Sequence, residues 1–382
     1  MEICLWQPIC GCGLKRKSRQ STRKVIFGWY LLPFLLSCTS SPKPLQWVRI
    51  DPHVHSSVGS NDTDGMGTPD RISAYIREAQ LDGIWLTDHS NSQGSMHCDD
   101  VENCPNLGPE LSLGNWPENV LLASEISLQS DDMSEARGHI GCLPLQKDYF
   151  ATDVFIDRPF GDIHGGQAIQ ACKEANGFAI LNHPFGPLPW VAFDFQSLEF
   201  DAIEVYNGSA AFDHSDAQAL AYWEEMLEEG KVYTPIAASD CHRWGTPAPG
   251  DLLNPALGWP HTQIGLYDGE EWIDGLRAGR VVLGDPSSVL MMVVEKSGRQ
   301  YFPGMEAPTG STMRIEASTE EEDLKVELIL IGTGVIHTEI LHEKQKIELE
   351  NMSSGIYYAR IMPVEESYGI RGVALTAPIV VK

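Results

Sequence analysis

The chain has 382 residues, of which 42% are hydrophobic and 21% charged, so it can bury a core and is too ordinary in composition for wholesale disorder. Lys and Arg total 27 while Asp and Glu total 53, which gives a formal net charge of −26. This acidity argues against a protein that coats long nucleic acid, because such binding requires a basic face. The length predicts two domains, or one large domain with an appendage.

The first 37 residues differ from the rest of the chain. Six basic residues precede position 25, and an apolar run occupies residues 25–36. A basic stretch, a short apolar run and a small residue are typical of a secretory signal. The run is too short for a comfortable membrane span, which needs ~20 residues. We therefore predict a signal peptide at residues 1–37, with an uncleaved anchor helix as an alternative.

The apolar run ends in a Leu-Leu-Ser-Cys sequence, which is similar to a bacterial lipobox. Cys38 would then be lipidated and become the mature N-terminus. Thr39 follows it in place of Asp, so the usual signal for retention in the inner membrane is absent. This predicts a lipid-anchored protein of the cell envelope, on the periplasmic side or in the outer membrane; a secreted or periplasmic protein is the alternative. Residues 38–46 form a Ser/Pro tether.

Apolar strands alternate with helices along the next two hundred residues. Strands are predicted at residues 47–51, 84–88, 120–125, 139–143, 178–182, 202–206 and 233–239. Helices are predicted from Thr68 to Gly83 and at residues 167–176 and 216–229. Such alternation favours an α/β fold with a mostly parallel, covered sheet, and seven strands would suit a closed or distorted barrel. From residue 285 strand follows strand, which predicts a separate all-β module.

Five cysteines lie beyond Cys38, namely Cys98, Cys104, Cys142, Cys172 and Cys241. An oxidising compartment would permit a bridge between Cys98 and Cys104 within one loop. The odd count leaves at least one free thiol, which we expect to be buried.

Six of the twelve histidines fall beside Asp or Glu at or near the predicted strand ends. His53 and His55 are two residues apart, so on an extended strand both point to one face and can bind one cation. Asp240 and His242 repeat that spacing, while Cys241 between them should face the core. The remaining candidate ligands are Asp64, His89, Glu125, His139 and His183.

These nine nitrogen and oxygen donors are too many for one ion. The carboxyl ends of strands in an α/β barrel converge on one mouth, so we expect the donors to meet there around two or three divalent metals. Imidazole and carboxylate without thiolate favour zinc, manganese or iron. A small zinc site at His97 with Cys98 and Cys104 is a minor alternative. The other histidines, at positions 164, 214, 261, 337 and 342, are expected on the surface or behind the ligands.

The order of these motifs resembles that of the PHP (polymerase and histidinol phosphatase) superfamily. The motifs are Asp-x-His-x-His-Ser at 51–56, Thr-Asp-His at 87–89, Glu125, His139, Asn-His-Pro at 182–184 and Ser-Asp-x-His at 239–242. The resemblance spans about residues 48–245. It implies a distorted (β/α)7 barrel at residues 47–284 with a di- or trinuclear metal centre, followed by a small all-β domain at residues 285–382.

The same resemblance implies a ligand set. His53, His55, Glu125 and Asp240 would hold one metal, and Asp64, His89, His139, His183 and His242 would complete the others, with Glu125 bridging. Two features depart from the family pattern: Pro52 stands where Leu is usual, and the loop over residues 56–64 is longer. Asp64 is chosen over Asp62 because Gly65 follows it.

A second resemblance concerns residues 276–286 and 374–381. These segments are similar to the C-terminal portion of the carbaryl hydrolase-like (CehA/McbA) branch, whose members also carry a β-rich tail.

Together these features predict a metal-dependent hydrolase, a phosphoesterase acting on small phosphate esters or nucleotides through a metal-activated hydroxide. A carbamate or carboxylic ester hydrolase and a non-catalytic, ligand-binding surface lipoprotein are the alternatives. We assign catalytic roles to Asp64, His89, His183 and Arg243, the last as a contact for a small anionic substrate. Residues expected to orient ligands or line the pocket are Asp51, Asp88, Asn182, Glu204, Tyr206 and Asn207.

The lipid anchor can be tested by mass spectrometry of the mature protein. We expect an N-terminal peptide that begins at Cys38 and carries the mass of attached acyl chains. An unmodified Cys38 with cleavage elsewhere would contradict the anchor, and Cys38→Ser should abolish both the modification and membrane association.

Overall fold

A computed structural model describes residues 45–60, 63–89, 115–129, 136–144, 165–186, 195–208, 211–244, 256–342, 344–365 and 369–382. These residues belong to one compact unit that runs from Pro42 to Lys382. The predicted signal peptide, Cys38, His97, Cys98, Cys104 and His164 lie outside the described residues. Within the described part, the helices are too short or too polar to cross a membrane.

Ten strands and four α-helices occupy the described residues before position 285. The strands are β1 (Gln46–Val54), β2 (Gly83–Leu86), β3 (Val120–Leu122), β4 (Ser124–Gln129), β5 (Ala136–Leu143), β6 (Phe178–Asn182), β7 (Ala202–Asn207), β8 (Thr234–Ala238), β9 (His261–Leu266) and β10 (Val281–Gly284). The helices are α1 (Ile72–Glu78), α2 (Gly165–Glu174), α3 (His214–Glu228) and α4 (Trp272–Arg277), and a short 3₁₀ helix covers Phe195–Ser197.

From Ser288 onwards every described element is a strand. These strands are β11 (Ser288–Lys296), β12 (Arg299–Tyr301), β13 (Glu306–Ala307), β14 (Thr312–Thr319), β15 (Leu324–Leu330), β16 (Gly334–Ile340), β17 (Gln345–Leu349), β18 (Gly355–Pro363), β19 (Ala374–Thr376) and β20 (Ile379–Val381). The all-β character expected after residue 285 is present, while the domain boundary there stays a prediction.

Capping residues that the sequence suggests are present at the start of helix α3 but not at the start of helix α1. Helix α3 begins after Asp213, whose side chain accepts hydrogen bonds from the backbone N–H groups of Ser215 and Asp216 and so forms a capping box. Helix α1 starts later than its sequence predicted, because the Thr68 hydroxyl donates to Asp70 Oδ1 at 2.6 Å and does not cap the backbone.

The prediction of a (β/α)7 barrel is wrong. Strands make up 44% of the described residues and helices 16%, with four α-helices, and the strands form three separate sheets. In the five-stranded sheet, with order β4-β5-β6-β7-β8, the pairs β4–β5 and β5–β6 are antiparallel. Strand β1 also pairs antiparallel with β9. Antiparallel neighbours need no helical crossover, so the repeating strand–helix unit is not sustained.

The largest sheet runs through both halves of the chain. Its eleven strands include the path β13-β20-β18-β19-β10-β9-β1-β2-β3, with β15 paired to β18 and β16 paired to β15. The C-terminal strand β19 therefore joins the sheet that contains β1, through its antiparallel partner β10. A four-stranded sheet, β12-β11-β14-β17, completes the C-terminal half.

Two isolated parallel bridges bring the strand ends together. Val54 at the end of β1 bridges Cys241, which follows β8, and His89 bridges Glu125 of β4. The polar residues at the ends of these segments, which are far apart in sequence, therefore lie close together. This junction positions the site described below.

The described cysteines separate into one disulfide and one free thiol. Cys142 of β5 is bonded to Cys172 of α2, a pairing that the sequence alone did not indicate. Cys241 is free and buried, as the odd cysteine count led us to expect. It packs with Val54 and Trp244 in a hydrophobic cluster, which agrees with a core role, and burial raises the pKa of its thiol.

His261 is buried at the start of β9, whereas the sequence predicted a position either on the surface or behind the ligands. Only 1% of it is exposed, and its Nδ1–H donates to the Gly258 carbonyl oxygen at 3.2 Å. Its Nε2 has no hydrogen-bond partner among the described residues. Burial, and then the charge of Arg49, lower the pKa of His261 to about 4.

This lowered pKa predicts a pH-dependent loss of stability. An unfolded histidine titrates near 6.5, so between that pH and about 4 the unfolded state binds more protons than the folded state. The free energy of unfolding should therefore fall by up to about 3 kcal/mol from this residue as the pH drops from 7 to 4. Denaturant titrations at several pH values measure this change. The free energy of unfolding should fall less between pH 7 and 4 in His261→Asn than in the wild type, and an equal fall in both proteins would contradict the lowered pKa of His261.

Candidate metal centre

The carboxylate of Glu125 lies at the middle of a ring of imidazoles. Glu125 is in β4 and is 1% exposed. Its Oε1 lies 3.2 Å from His53 Nε2, 2.8 Å from His139 Nδ1 and 3.1 Å from His183 Nε2. Its Oε2 lies 3.3 Å from His55 Nε2 and 3.1 Å from His89 Nδ1. Five of the six predicted histidine ligands thus surround one buried carboxylate.

Asp240 closes a second side of the same cluster. It follows β8, and its Oδ1 lies 3.3 Å from His53 Nε2 and 3.2 Å from His55 Nε2. This oxygen is buried and has no hydrogen-bond partner among the described residues. A buried acceptor left without a hydrogen bond costs on the order of 1–3 kcal/mol, and a bound cation would remove that cost.

His242 completes the cluster next to Asp240. Its Nδ1–H donates to the backbone carbonyl oxygen of Asp240 at 2.9 Å, so Nε2 is the ring nitrogen that carries the lone pair a cation would bind. Its ring stacks on that of His55 with the centroids 3.9 Å apart.

Eight of the nine predicted ligands fall into four overlapping groups of three. In each group the donor atoms lie within 4.8 Å of one another. The groups are His55, His89 and His242; His53, Glu125 and His183; His53, His55 and Asp240; and His89, Glu125 and His139. Because several residues belong to two groups, neighbouring ions would share ligands.

The donor spacing fits metal coordination. Bonds of about 2.1 Å from a metal to nitrogen or oxygen place neighbouring ligands about 3.0–3.4 Å apart. Four of the five separations cited around Glu125 and Asp240 are 3.2–3.3 Å and fall in that range, and the fifth, between Glu125 and His139, is shorter at 2.8 Å. Neutral imidazoles and carboxylates are also the donor types that zinc, manganese and iron take. The residues present therefore fit divalent ions.

Two predicted site residues lie outside these groups. Asp64 is exposed; its backbone N–H donates to the His242 carbonyl oxygen at 3.2 Å, and its Oδ1 accepts from the Met66 N–H at 2.9 Å. Arg243 follows His242 and is exposed. The ligand role of Asp64 and the substrate contact of Arg243 stay predictions.

Outer hydrogen bonds fix which nitrogen of each central imidazole faces the cluster. Ser60 donates its single hydroxyl proton to Asp88 Oδ1 at 2.9 Å, so at 3.1 Å it must accept from His55 Nδ1–H. The lone pair of His55 Nε2 therefore points at Glu125 and Asp240. His53 has the same arrangement, with its Nδ1 lying 2.8 Å from Glu204 Oε1.

The residues predicted to orient imidazoles act in three different ways. Asp88 acts on His55 through Ser60. Asn182 Nδ2 donates to Glu125 Oε1 at 3.0 Å, so it orients the carboxylate and not an imidazole. Asp51 accepts from the backbone N–H groups of Ser239 and Gly258, which ties β1 to the segments after β8, and burial raises its pKa to about 6.

Sequence reasoning gave Glu204 a less specific role and missed Ser60. Glu204 was expected to line the pocket; in the structure it is 2% exposed and its Oε1 lies at hydrogen-bond distance from His53 Nδ1. A charged residue inside an otherwise apolar strand requires a buried partner, and that signal could have suggested this role. We find no sequence signal that would have identified Ser60.

The electrostatics of the cluster are strongly coupled. Burial disfavours the charged form of His53, but the carboxylates of Asp240, Glu125 and Glu204 outweigh it and raise the pKa of His53 well above its usual value. Burial likewise opposes the charge of Glu125, yet His139 and His53 hold its pKa well below the usual value. Burial lowers the pKa of His139 to about 4. Protons and metal ions would therefore compete for the same donors.

Comparisons with known proteins add no functional argument. Neither the known family models nor the curated proteins contain a match to this chain. A solved structure of the sulfur carrier protein SoxY from Chlorobium limicola f thiosulfatophilum aligns at 4% identity, covering 26% of this chain and 81% of that chain. Its TM-score of 0.17 is too low to indicate a shared fold.

The metal centre predicts measurable metal binding. Purified protein repleted with zinc or manganese should hold about two or three equivalents by elemental analysis. Glu125→Gln should lose most of this metal, because Glu125 touches five of the imidazoles. Glu327→Gln is a matched control, because Glu327 is also buried but pairs with Arg360 away from the cluster. Less than about one equivalent in the wild type would refute the centre.

Proposed function

We propose that this protein is a metal-dependent hydrolase that cleaves small phosphate esters or nucleotides. The observation that carries the proposal is the buried Glu125 carboxylate, which has five imidazole nitrogens within 3.3 Å. The motif order that resembles the PHP superfamily supports it from the sequence. The proposal depends on the cluster and not on a barrel fold.

Divalent ions held in the cluster would lower the pKa of a coordinated water towards neutrality and stabilise charge developing on a phosphoryl oxygen. The protein supplies the holding groups. Glu125 Oε1 faces His53, His139 and His183, whereas Oε2 faces His55 and His89. Each of its two oxygens could therefore help to hold a different ion.

The cluster is open to solvent on one side. The side chains of Asp240 and His242 are 22% and 23% exposed, and that of His183 is 16% exposed, whereas His55 and Glu125 are buried. A substrate would therefore approach past Asp240, His183 and His242. The net charge of −26 disfavours long polyanions, so a small anionic substrate that meets the cations directly is the best fit.

Carbamate or carboxylic ester hydrolysis is the second candidate. The two segments that resemble the carbaryl hydrolase-like branch pair with each other, because β10 and β19 form an antiparallel ladder through Val282–Thr376, Leu283–Leu375 and Gly284–Ala374. Residues 276–286 and 374–381 are thus neighbours in one sheet of this chain. The two similar segments therefore count as one structural feature and not as two unrelated likenesses.

Parallel assays of p-nitrophenyl phosphate and a naphthyl carbamate, with zinc or manganese added, test the function. We expect phosphate ester hydrolysis that His53→Ala reduces by more than about 100-fold, because a ligand is lost and not merely an outer partner. His337→Ala should keep wild-type activity, since His337 lies on β16 and pairs with Glu339 at 3.1 Å.

Other outcomes assign other functions. Turnover of the carbamate alone would replace the phosphoesterase with the second candidate. Metal binding without turnover of either substrate class would contradict an enzyme and favour a ligand-binding protein.

A further inference from the structure

We propose that Glu204 is a positioning residue that sets the metal affinity of the positions that contain His53, above all the one formed by His53, Glu125 and His183. The inference rests on the proposed metal-dependent function and adds a residue that neither the motifs nor their spacing assigned to the metal. Glu204 lies in β7, which pairs with β6, the strand that His183 follows.

The carboxylate of Glu204 contacts two ligands of that position at once. Its Oε1 lies 2.8 Å from His53 Nδ1. Its Oε2 accepts a hydrogen bond from the backbone N–H of His183 at 2.8 Å and another from Asn207 Nδ2 at 2.7 Å. Glu204 is 2% exposed, so water does not compete strongly for these bonds. One buried group therefore connects β1, β7 and the end of β6.

For His53, the consequence is a fixed tautomer. The other two partners of Glu204 are N–H donors, so the carboxylate acts as an acceptor and His53 must donate from Nδ1. When a metal replaces the second ring proton, the Nε2 lone pair would then face the side of Glu125, whose Oε1 is 3.2 Å away. Buried carboxylates that accept from the outer nitrogen of a histidine ligand raise its basicity and hold the ring orientation.

For His183, the consequence is a stabilised backbone. His183 has a φ of +27°, a conformation that residues other than glycine rarely adopt. Such conformations are strained and persist only when surrounding bonds hold them. The bond from its N–H to Glu204 Oε2 is such a restraint, and it places His183 Nε2 at 3.1 Å from Glu125 Oε1.

Another part of the cluster depends on a different anchor. His55 is oriented by Ser60 and Asp88. Glu204 hydrogen-bonds His53, His183 and Asn207, none of which belongs to the group of His55, His89 and His242. Loss of Glu204 should therefore weaken the metal positions that contain His53 and spare that group. This selectivity separates positioning from a general structural role.

Glu204→Gln tests the inference. The amide oxygen should stay opposite the two N–H donors, which turns the NH₂ group towards His53 Nδ1. That NH₂ would donate to Nδ1 and move the imidazole proton to Nε2, where it blocks metal binding. We expect the equivalents that use His53 to bind 10–100-fold more weakly, with the equivalent held by His55, His89 and His242 unchanged. Competition titration of metal-free protein with Zn²⁺ against a chromophoric chelator measures each equivalent.

An NMR experiment provides a readout that a merely structural role would not change. Histidine-labelled, Zn²⁺-loaded wild type should show the His53 ring proton on Nδ1 in ¹H–¹⁵N spectra. In Glu204→Gln this signal should be lost, or the proton should be found on Nε2.

Three further variants make the result specific. Asp216→Asn is the matched control, because Asp216 is a buried carboxylate nearby that accepts from the backbone N–H groups of Asn207 and Asp213 and touches no ligand in its hydrogen bonds. It should retain all metal affinities.

Ser60→Ala should instead weaken positions that contain His55. Asn207→Ala keeps the Glu204 carboxylate but removes one of its restraints, so a smaller loss at the same position is expected even if Glu204→Gln fails to fold.

The outcomes are distinguishable. The inference is overturned if Glu204→Gln, or Asn207→Ala in its place, binds every equivalent with wild-type affinity, or if the loss is spread evenly over all equivalents. A wild-type protein that binds metal but hydrolyses nothing would refute the proposed function while leaving the role of Glu204 intact. A wild type that binds no metal would overturn both.

Discussion

The organising constraint of this protein is a carboxylate buried among imidazoles. Charged groups removed from water are costly unless they are paired, and Glu125 is surrounded by nitrogen donors from four separate parts of the chain. Each of these segments must hold its side chain within a few tenths of an ångström. The folding of the surrounding strands is therefore inseparable from the assembly of the cluster.

Polar groups behind the ligands keep the cluster in place. Glu204, Ser60 with Asp88, and Asn182 each orient one or more donors from a buried position. Asp240 has a φ of +54° and His183 has a φ of +27°. Two of the candidate ligands therefore lie in backbone conformations that cost energy. The surrounding hydrogen bonds can offset this strain, which orients both side chains towards the cluster.

The sequence predicted the positions of the strands better than it predicted which strands pair with each other. Apolar runs, caps and glycines are local signals, so β1, β6, β7 and α3 were predicted close to their true bounds. The partners of a strand are non-local. The antiparallel pairs β4–β5, β5–β6 and β1–β9 produce three sheets in place of the expected barrel, and β19 joins β10 from about ninety residues away.

The sequence by itself determined which residues could bind metal, because the i, i+2 spacing of His53 and His55 and the acidic residues at strand ends follow from the strand period alone. Eight of its nine candidate ligands meet in the structure, and Asp64 lies outside their groups. Only the tertiary structure decided that Cys142 pairs with Cys172, that His261 is buried, and that Glu204 faces His53. These contacts join residues from 30 to 151 positions apart, or depend on how sheets cover one another, and no local pattern encodes that distance.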